Sequence, residues 1–230
     1  MLIVDNMKIS MDGFGLHGSL TLPQGARAAI LGPSGAGKST FLAALAGFQP
    51  LASGQIIWQG TKLPTRPSER PISMVFQDNN LFPHLSVAEN VGLGLRPDLK
   101  LSSEDRRRVE QALDRVGLSG LGGRKPAQLS GGQIARVALA RVLLRNQPLL
   151  LLDEPFGALG PALKSEMLAL VEELLDETGA TLLMVSHDPQ DARAICDQVV
   201  LVAEGQLHPA VTTDEIFAHP PEALRDYLGH

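Results

Sequence analysis

Residues Gly32–Thr40 read GPSGAGKST, behind the apolar run AAIL (Ala28–Leu31) and ahead of FLAALAG (Phe41–Gly47). Glycines, a proline and a lysine crowded together make a poor strand and a poor helix start. They do fit G-x-x-x-x-G-K-[ST], and an apolar strand before with a helix after is the context that pattern requires. In such a loop, spanning Gly32, Pro33, Ser34, Gly35, Ala36 and Gly37, the glycines let backbone N–H groups turn inward toward phosphate oxygens. The helix start at Lys38, Ser39 and Thr40 adds a favourable dipole, with Lys38 reaching the outer phosphates and Ser39 able to ligate magnesium. A strand feeding a phosphate loop and then a helix sets the class as α/β.

Working outward, residues 1–31 read as short strands broken by glycines and ending in RAAIL. After the loop, Phe41, Leu42, Leu45 and Phe48 recur at helical spacing, with Gly47 near the helix end. SGQIIWQG and PISMVFQ are further strands. Beyond Gln77 the pattern turns helical over roughly residues 78–147: Ser86 and Glu89 are spaced as a capping box, and Val109, Leu113 and Val116 make the segment 102–117 amphipathic. The strand of LLLLDEP, a helix carrying Leu163, Met167, Leu170, Val171 and Leu174 and stopping at Gly179, and the strand of TLLMVSHD follow, with Asp188 and Pro189 placed as N-cap and first helical residue. AHPPEALRDYLG reads as a short terminal helix. Strands alternating with helices imply a mostly parallel sheet covered on both faces.

Composition narrows the function classes. The 230 residues carry 20 basic and 25 acidic side chains, a net charge of -5, which provides no electrostatic footprint for nucleic acid. Cys196 is the one cysteine, so no intrachain disulfide forms, and it reads as a small buried apolar residue. The first residues lack the pattern of a secretory signal, and no apolar run approaches the roughly 18 residues of a membrane span. Arg106–Arg108 read as a solvated helix face, and His208, His219 and His230 are too scattered for a metal site.

Asp153, ending the apolar strand LLLLD, puts a carboxylate at the carboxyl edge of the sheet, where it can hold the water shell of a magnesium ion; Glu154 can polarise an attacking water. LSGGQ (Leu129–Gln133) is less decided by physics alone. Ser130 and Gln133 have capping-box spacing, and Gly131 and Gly132 leave backbone N–H groups open at the start of QIARVALARVLL, so helix cap and anion loop both fit.

The ordered set GPSGAGKST, Gln77 in VFQDNN, LSGGQ, LLLLDEP and His187 in VSHD resembles the ATPase subunit of ABC transporters along essentially the whole chain. The resemblance implies a P-loop NTPase core with a mostly parallel sheet, an N-terminal antiparallel β subdomain and an inserted α-helical subdomain at about 78–147, within a single domain spanning residues 1–230. It implies ATP and Mg2+ as cofactors. It also implies a head-to-tail homodimer in which Ser130, Gly131, Gly132 and Gln133 of one copy close over nucleotide held by the other. Gln77 matches the Q-loop glutamine that contacts magnesium or the attacking water, His187 the switch histidine at the γ-phosphate, and Glu154 the general base.

Two departures stand out. Gly160, in FGALG, occupies a position where the family usually has an aspartate that helps couple the two sites, which implies looser coupling or slower hydrolysis. The aromatic residue that stacks on adenine falls near Met11, with Phe14 the nearest aromatic side chain. Ile134, where an arginine is common after LSGGQ, is a milder change beside these two.

One nucleotide-binding unit without a membrane span resembles the separate ATPase subunits of bacterial importers. Such a subunit lies on the cytoplasmic face of the inner membrane, docked on integral permease subunits and indirectly served by a solute-binding protein. Phe76–Leu101 is most similar to the ATPases of thiamine importers. The alternatives are an importer ATPase for a polyamine, iron, sulfate or phosphonate, or a soluble ABC ATPase that works outside transport.

Overall fold

A computed structural model of the chain describes residues 1–11 and 13–228. It divides into two compact units, one formed by Met1–Ile72, Pro148–Asp153 and the chain from Gly179 onward, the other by Ser73–Gln147 and Glu154–Thr178.

In the first unit, β1 (Leu2–Met11), β2 (Phe14–Leu22), β4 (Ser53–Trp58) and β5 (Thr61–Lys62) pair antiparallel. Burial along β1 and β2 largely alternates, as one-sided sheets do, interrupted where a bulge between Val4 and Met7 puts Asn6 at φ 46°. The parallel part centres on β3 (Arg27–Leu31), which lies between β8 (Thr181–Val185) and β9 (Gln198–Ala203), with β7 (Leu149–Asp153) beyond β8. Their sequences are continuous apolar runs because both faces are covered. β10 (Gln206–Leu207) joins the two parts, antiparallel to β9 and parallel to β2, and β11 (Val211–Thr212) pairs with β9. Helices α1 (Lys38–Ala46), α6 (Pro189–Ile195), α7 (Thr213–Ala218) and α8 (Glu222–Leu228) complete this unit. Among the described residues no helix is long and apolar enough to cross a membrane.

Two details correct the sequence reading. The first strands are not short: β1 and β2 run 10 and 9 residues, with Gly15 and Gly18 inside β2. Gly18 is there because the backbone of Leu207 passes where its side chain would stand. Phe48 is not on the buried face of α1, since Gly47 ends that helix in left-handed backbone (φ 88°) and Phe48 lies beyond it, 57% exposed. His230 and Gly229 lie outside the described residues.

The second unit contains most of β6 (Ile72–Val75), then α2 (Val87–Gly92), α3 (Ser103–Arg115), α4 (Gly131–Arg145) and α5 (Pro161–Thr178). It therefore extends beyond residues 78–147 on both sides. Val87, Val91, Val109, Leu113, Val116, Val137 and Leu144 form its core. Ser86 with Glu89, Ser102 with Asp105 and Ser130 with Gln133 close reciprocal capping boxes, so each helix has its entry fixed locally. Asn90, fully buried, fixes the preceding turn: its Nδ2 donates to the carbonyls of Phe82, Leu85 and Ser86, and its Oδ1 accepts from Phe82 N–H.

Candidate functional site

The loop Gly32–Gly37 leaves β3 and enters α1 in a shape that few residues could adopt. Gly32 has φ 146° and presses on the Val202 carbonyl, leaving no room for a side chain. Gly37 caps α1 in left-handed backbone (φ 102°), and the Phe14 ring covers it, with Cε2 3.3 Å from where a Cβ would be. Lys38 is 5% exposed, and its Nζ donates to Gly32 O (2.7 Å) and Pro33 O (2.9 Å), curling the cation back over the loop. The loop is thus preformed around a positive charge, and the first amides of α1 have no intrahelical partner. An anion with several oxygens suits both features.

α1 is held in place from its other end. The Arg70 guanidinium donates to Ala44 O (2.8 Å) and Leu45 O at the helix C-terminus and to Pro64 O (2.7 Å). Partial burial lowers the Arg70 pKa by desolvation. A charged donor on the last carbonyls also suits the helix dipole.

Asp153 is the last residue of β7 and buried, and its Oδ1 accepts from Ser39 Oγ at 2.9 Å. These residues, 114 positions apart in the chain, put a carboxylate and a hydroxyl side by side at the mouth of the phosphate loop. Hard oxygen donors in that arrangement fit Mg2+, which prefers carboxylate, hydroxyl and water oxygens. The next residue, Glu154, is half-buried and has φ 47°, a backbone conformation costly for any non-glycine residue and one that clusters at functional sites.

His187 is exposed just after β8, and the backbone on either side of it is pinned. Ser186 Oγ donates to the buried Asp191 carboxylate (2.6 Å) and accepts from Asp188 N–H (3.0 Å). Asp188 caps α6 by accepting from Gln190 N–H (2.9 Å). Cys196 is buried, and desolvation pushes its thiol up to about 12, so it is inert as a nucleophile.

The remaining candidates lie in the second unit. Gln77 is exposed just after β6. Ser130 is the N-cap of α4: its Oγ accepts from Gln133 N–H (3.3 Å) and its N–H donates to Gln133 Oε1 (3.0 Å). Gly131 is exposed, with open space where a side chain would stand, whereas Gly132 is buried against Leu163. One helical turn on, Arg136 pairs with Glu166 (2.6 Å) and donates to Val116 O (2.8 Å). Met11 is 48% exposed at the end of β1, opposite Phe14. Gly160 is exposed in open space, and its carbonyl accepts from Lys164 N–H, so it stands as N-cap of α5.

The structure thus brings together the phosphate loop, Ser39 and Asp153 in the first unit. Arg70, Asn90, Arg141 and the Ser186–Asp191 pair escaped the sequence reading. Asn90 and Arg141 carried a signal, since each is a polar residue at a core phase of an apolar helix: Asn90 between Val87 and Val91, Arg141 four residues after Val137.

The chain compares clearly with known proteins. The sequence profile of the ABC transporter family matches residues 17–157. A thiamine import ATP-binding protein, ThiQ, from a Ruegeria species is 57% identical over 230 residues, covering 100% of both chains. ThiQ of Cereibacter sphaeroides is 56% identical over 230 residues, again covering 100% of both. Among solved structures, the dimeric ATP-binding cassette MJ0796 in a post-hydrolysis state with ADP and Pi superposes with a TM-score of 0.82 at 30% identity, covering 93% of this chain and 99% of that one. CbiO1 of Clostridium perfringens, part of an ABC transporter complex, gives a TM-score of 0.82 at 33% identity, covering 95% and 90%.

Proposed function

The chain belongs to the ABC transporter family, and from that premise we propose that it is the ATP-hydrolysing subunit of a bacterial importer of thiamine or thiamine phosphates. The observation that carries the cargo is identity of 57% and 56% to thiamine import ATP-binding proteins over the full length of both partners. The preformed phosphate loop and its Ser39–Asp153 pair support nucleotide chemistry independently of any relative.

In this reading Gly32–Thr40 binds the ATP phosphates, and Lys38 exchanges its bonds to the Gly32 and Pro33 carbonyls for phosphate oxygens. Ser39, Asp153 and Gln77 are the residues that would hold magnesium, through hydroxyl, carboxylate and amide oxygens. The ion would offset charge on the outer phosphates. Glu154 accepts the proton of the attacking water, and His187, next in the chain to the Ser186 that bonds Asp191, contacts the γ-phosphate. Met11, the more exposed of the two candidates, lies against adenine, its thioether packing on the ring face, while Phe14 packs on the loop.

The working assembly is a head-to-tail homodimer in which Ser130–Gln133 of one copy meets the nucleotide of the other; that the MJ0796 cassette is dimeric supports the two-copy assembly. The helical segment 78–147 serves permease subunits at the cytoplasmic face of the inner membrane, with a solute-binding protein delivering cargo on the far side. ATP binding closes the dimer, the motion passes to the permease, and hydrolysis reopens it.

Uptake of labelled thiamine in native cells, wild type against Glu154→Gln with polyamine and iron controls, tests the reading. Selective loss of thiamine uptake is expected. Loss of a different solute would keep the ATPase and discard thiamine, and unchanged uptake of all would discard transport.

A further inference from the structure

The turn that follows Gln77 is held in an unfavourable shape. Asn79 and Asn80 are both in left-handed backbone, with φ 58° and 45°. Asparagine tolerates that region better than most residues, but two in succession need support. Local bonds supply part of it: Asn79 N–H donates to Phe76 O (2.8 Å), and Asn80 N–H to Asp78 Oδ1 (3.1 Å). Asn79 Oδ1 is buried without a hydrogen-bond partner, a further cost of keeping this shape.

The remaining support comes from a distant part of the chain. Arg141, on α4, donates from Nη2 to Asn79 O and from Nη1 to Asn80 O, both at 3.0 Å. One planar guanidinium therefore spans the two carbonyls of the strained turn, a geometry that a lysine ammonium cannot reproduce. Desolvation lowers the Arg141 pKa, while Asp78 opposes that shift. The helix that carries Arg141 is the one capped by Ser130.

We propose that Arg141 is a positioning residue that sets the backbone aiming Gln77 and ties it to the helix bearing the Ser130–Gln133 loop. When α4 shifts, the Gln77 turn shifts with it, so the two loops report on one another within one rigid linkage. The role in turnover rests on the reading of Gln77 and Ser130–Gln133 given above; the linkage itself does not.

The test uses the purified full chain, comparing wild type, Arg141→Lys, Asn80→Gly and the double variant. Amide hydrogen exchange over Asp78–Leu81 reads the linkage, and ATP affinity with kcat reads its consequence. Arg141→Lys should speed exchange in that turn about tenfold and lower kcat about tenfold, with ATP affinity changed less than about twofold because the phosphate loop lies in the other unit. Asn80→Gly in that background should recover kcat at least about threefold, since glycine adopts φ 45° unaided. Unchanged exchange at Asp78–Leu81 overturns the proposal. So does a kcat loss that follows a fall in Tm and is not recovered by Asn80→Gly, because that is the behaviour of a residue needed only for packing. If the wild type hydrolyses no ATP, alone or with its membrane partner, the ATPase reading fails while the exchange result still decides the linkage.

Discussion

Gly160 shows how much one missing side chain can say. It precedes Pro161, accepts from Lys164 N–H through its carbonyl and has open space around the position of a Cβ, so its backbone has no need of glycine. An aspartate there would cap the first turn of α5 and face the positive end of the helix dipole. Gly160→Asp should therefore raise Tm by about a degree or two, read by thermal melting. If the glycine loosens communication between the two nucleotide sites, the same variant also sharpens the ATP dependence of hydrolysis. A higher Tm with an unchanged Hill coefficient would leave Gly160 with a capping effect alone. Asn90 makes the opposite case, a residue whose side chain is fully committed. Asn90→Asp puts a carboxylate opposite three carbonyls and should cost about 3 kcal/mol in urea unfolding, more than an alanine that leaves the same carbonyls merely unpaired.

At the scale of elements, the capping boxes divide by chemistry. Glu89 and Asp105 close theirs with carboxylates, and hydrogen bonds from Ser86 and Ser102 respectively hold both below the usual carboxylate range. A depressed carboxylate contributes stability that is fully present above its unfolded pKa of about 4 and is lost as pH falls through the lower folded value. The box on α4 closes with the amide of Gln133, which does not titrate. Hydrogen exchange between pH 5 and about pH 3 should therefore show the first turns of α2 and α3 loosening while the first turn of α4 keeps its protection relative to its neighbours. Uniform loosening of all three would mean that tertiary packing, and not the caps, governs these ends. The boxes at Ser86 and Ser130 were legible in the sequence because donor and acceptor lie three residues apart. Arg70 was not, since it acts on carbonyls of α1 that only the folded chain brings within reach, and the polar signals of Asn90 and Arg141 did not say which carbonyls they serve. Gly15 and Gly18 misled for a related reason: read locally they break a strand, whereas the fold uses Gly18 to let Leu207 pass.

For the whole molecule, the parallel strands followed directly from the apolar runs, and the strand, tight glycine turn and helix around GPSGAGKST from its glycines, because a buried strand has to be apolar and such a turn has to be glycine-rich. What the second unit presents to another copy is a different matter, and Gly131 isolates it. Its side-chain position is open, so Gly131→Asp folds, and a carboxylate in the first turn of α4 is favoured by that helix's own dipole. The monomer should be at least as stable as wild type, and ATP should bind its phosphate loop within about threefold of the wild-type affinity, since that loop belongs to the first unit. A head-to-tail dimer would instead press this carboxylate against the γ-phosphate held by the partner, where like charges cost several kcal/mol. Light scattering with MgATP in a Glu154→Gln background, which prevents turnover, should then show dimers without the aspartate and monomers with it. Dimers in both would place the nucleotide away from Ser130–Gln133 and remove that loop from the site, whereas the expected loss would assign half of each nucleotide site to the second copy.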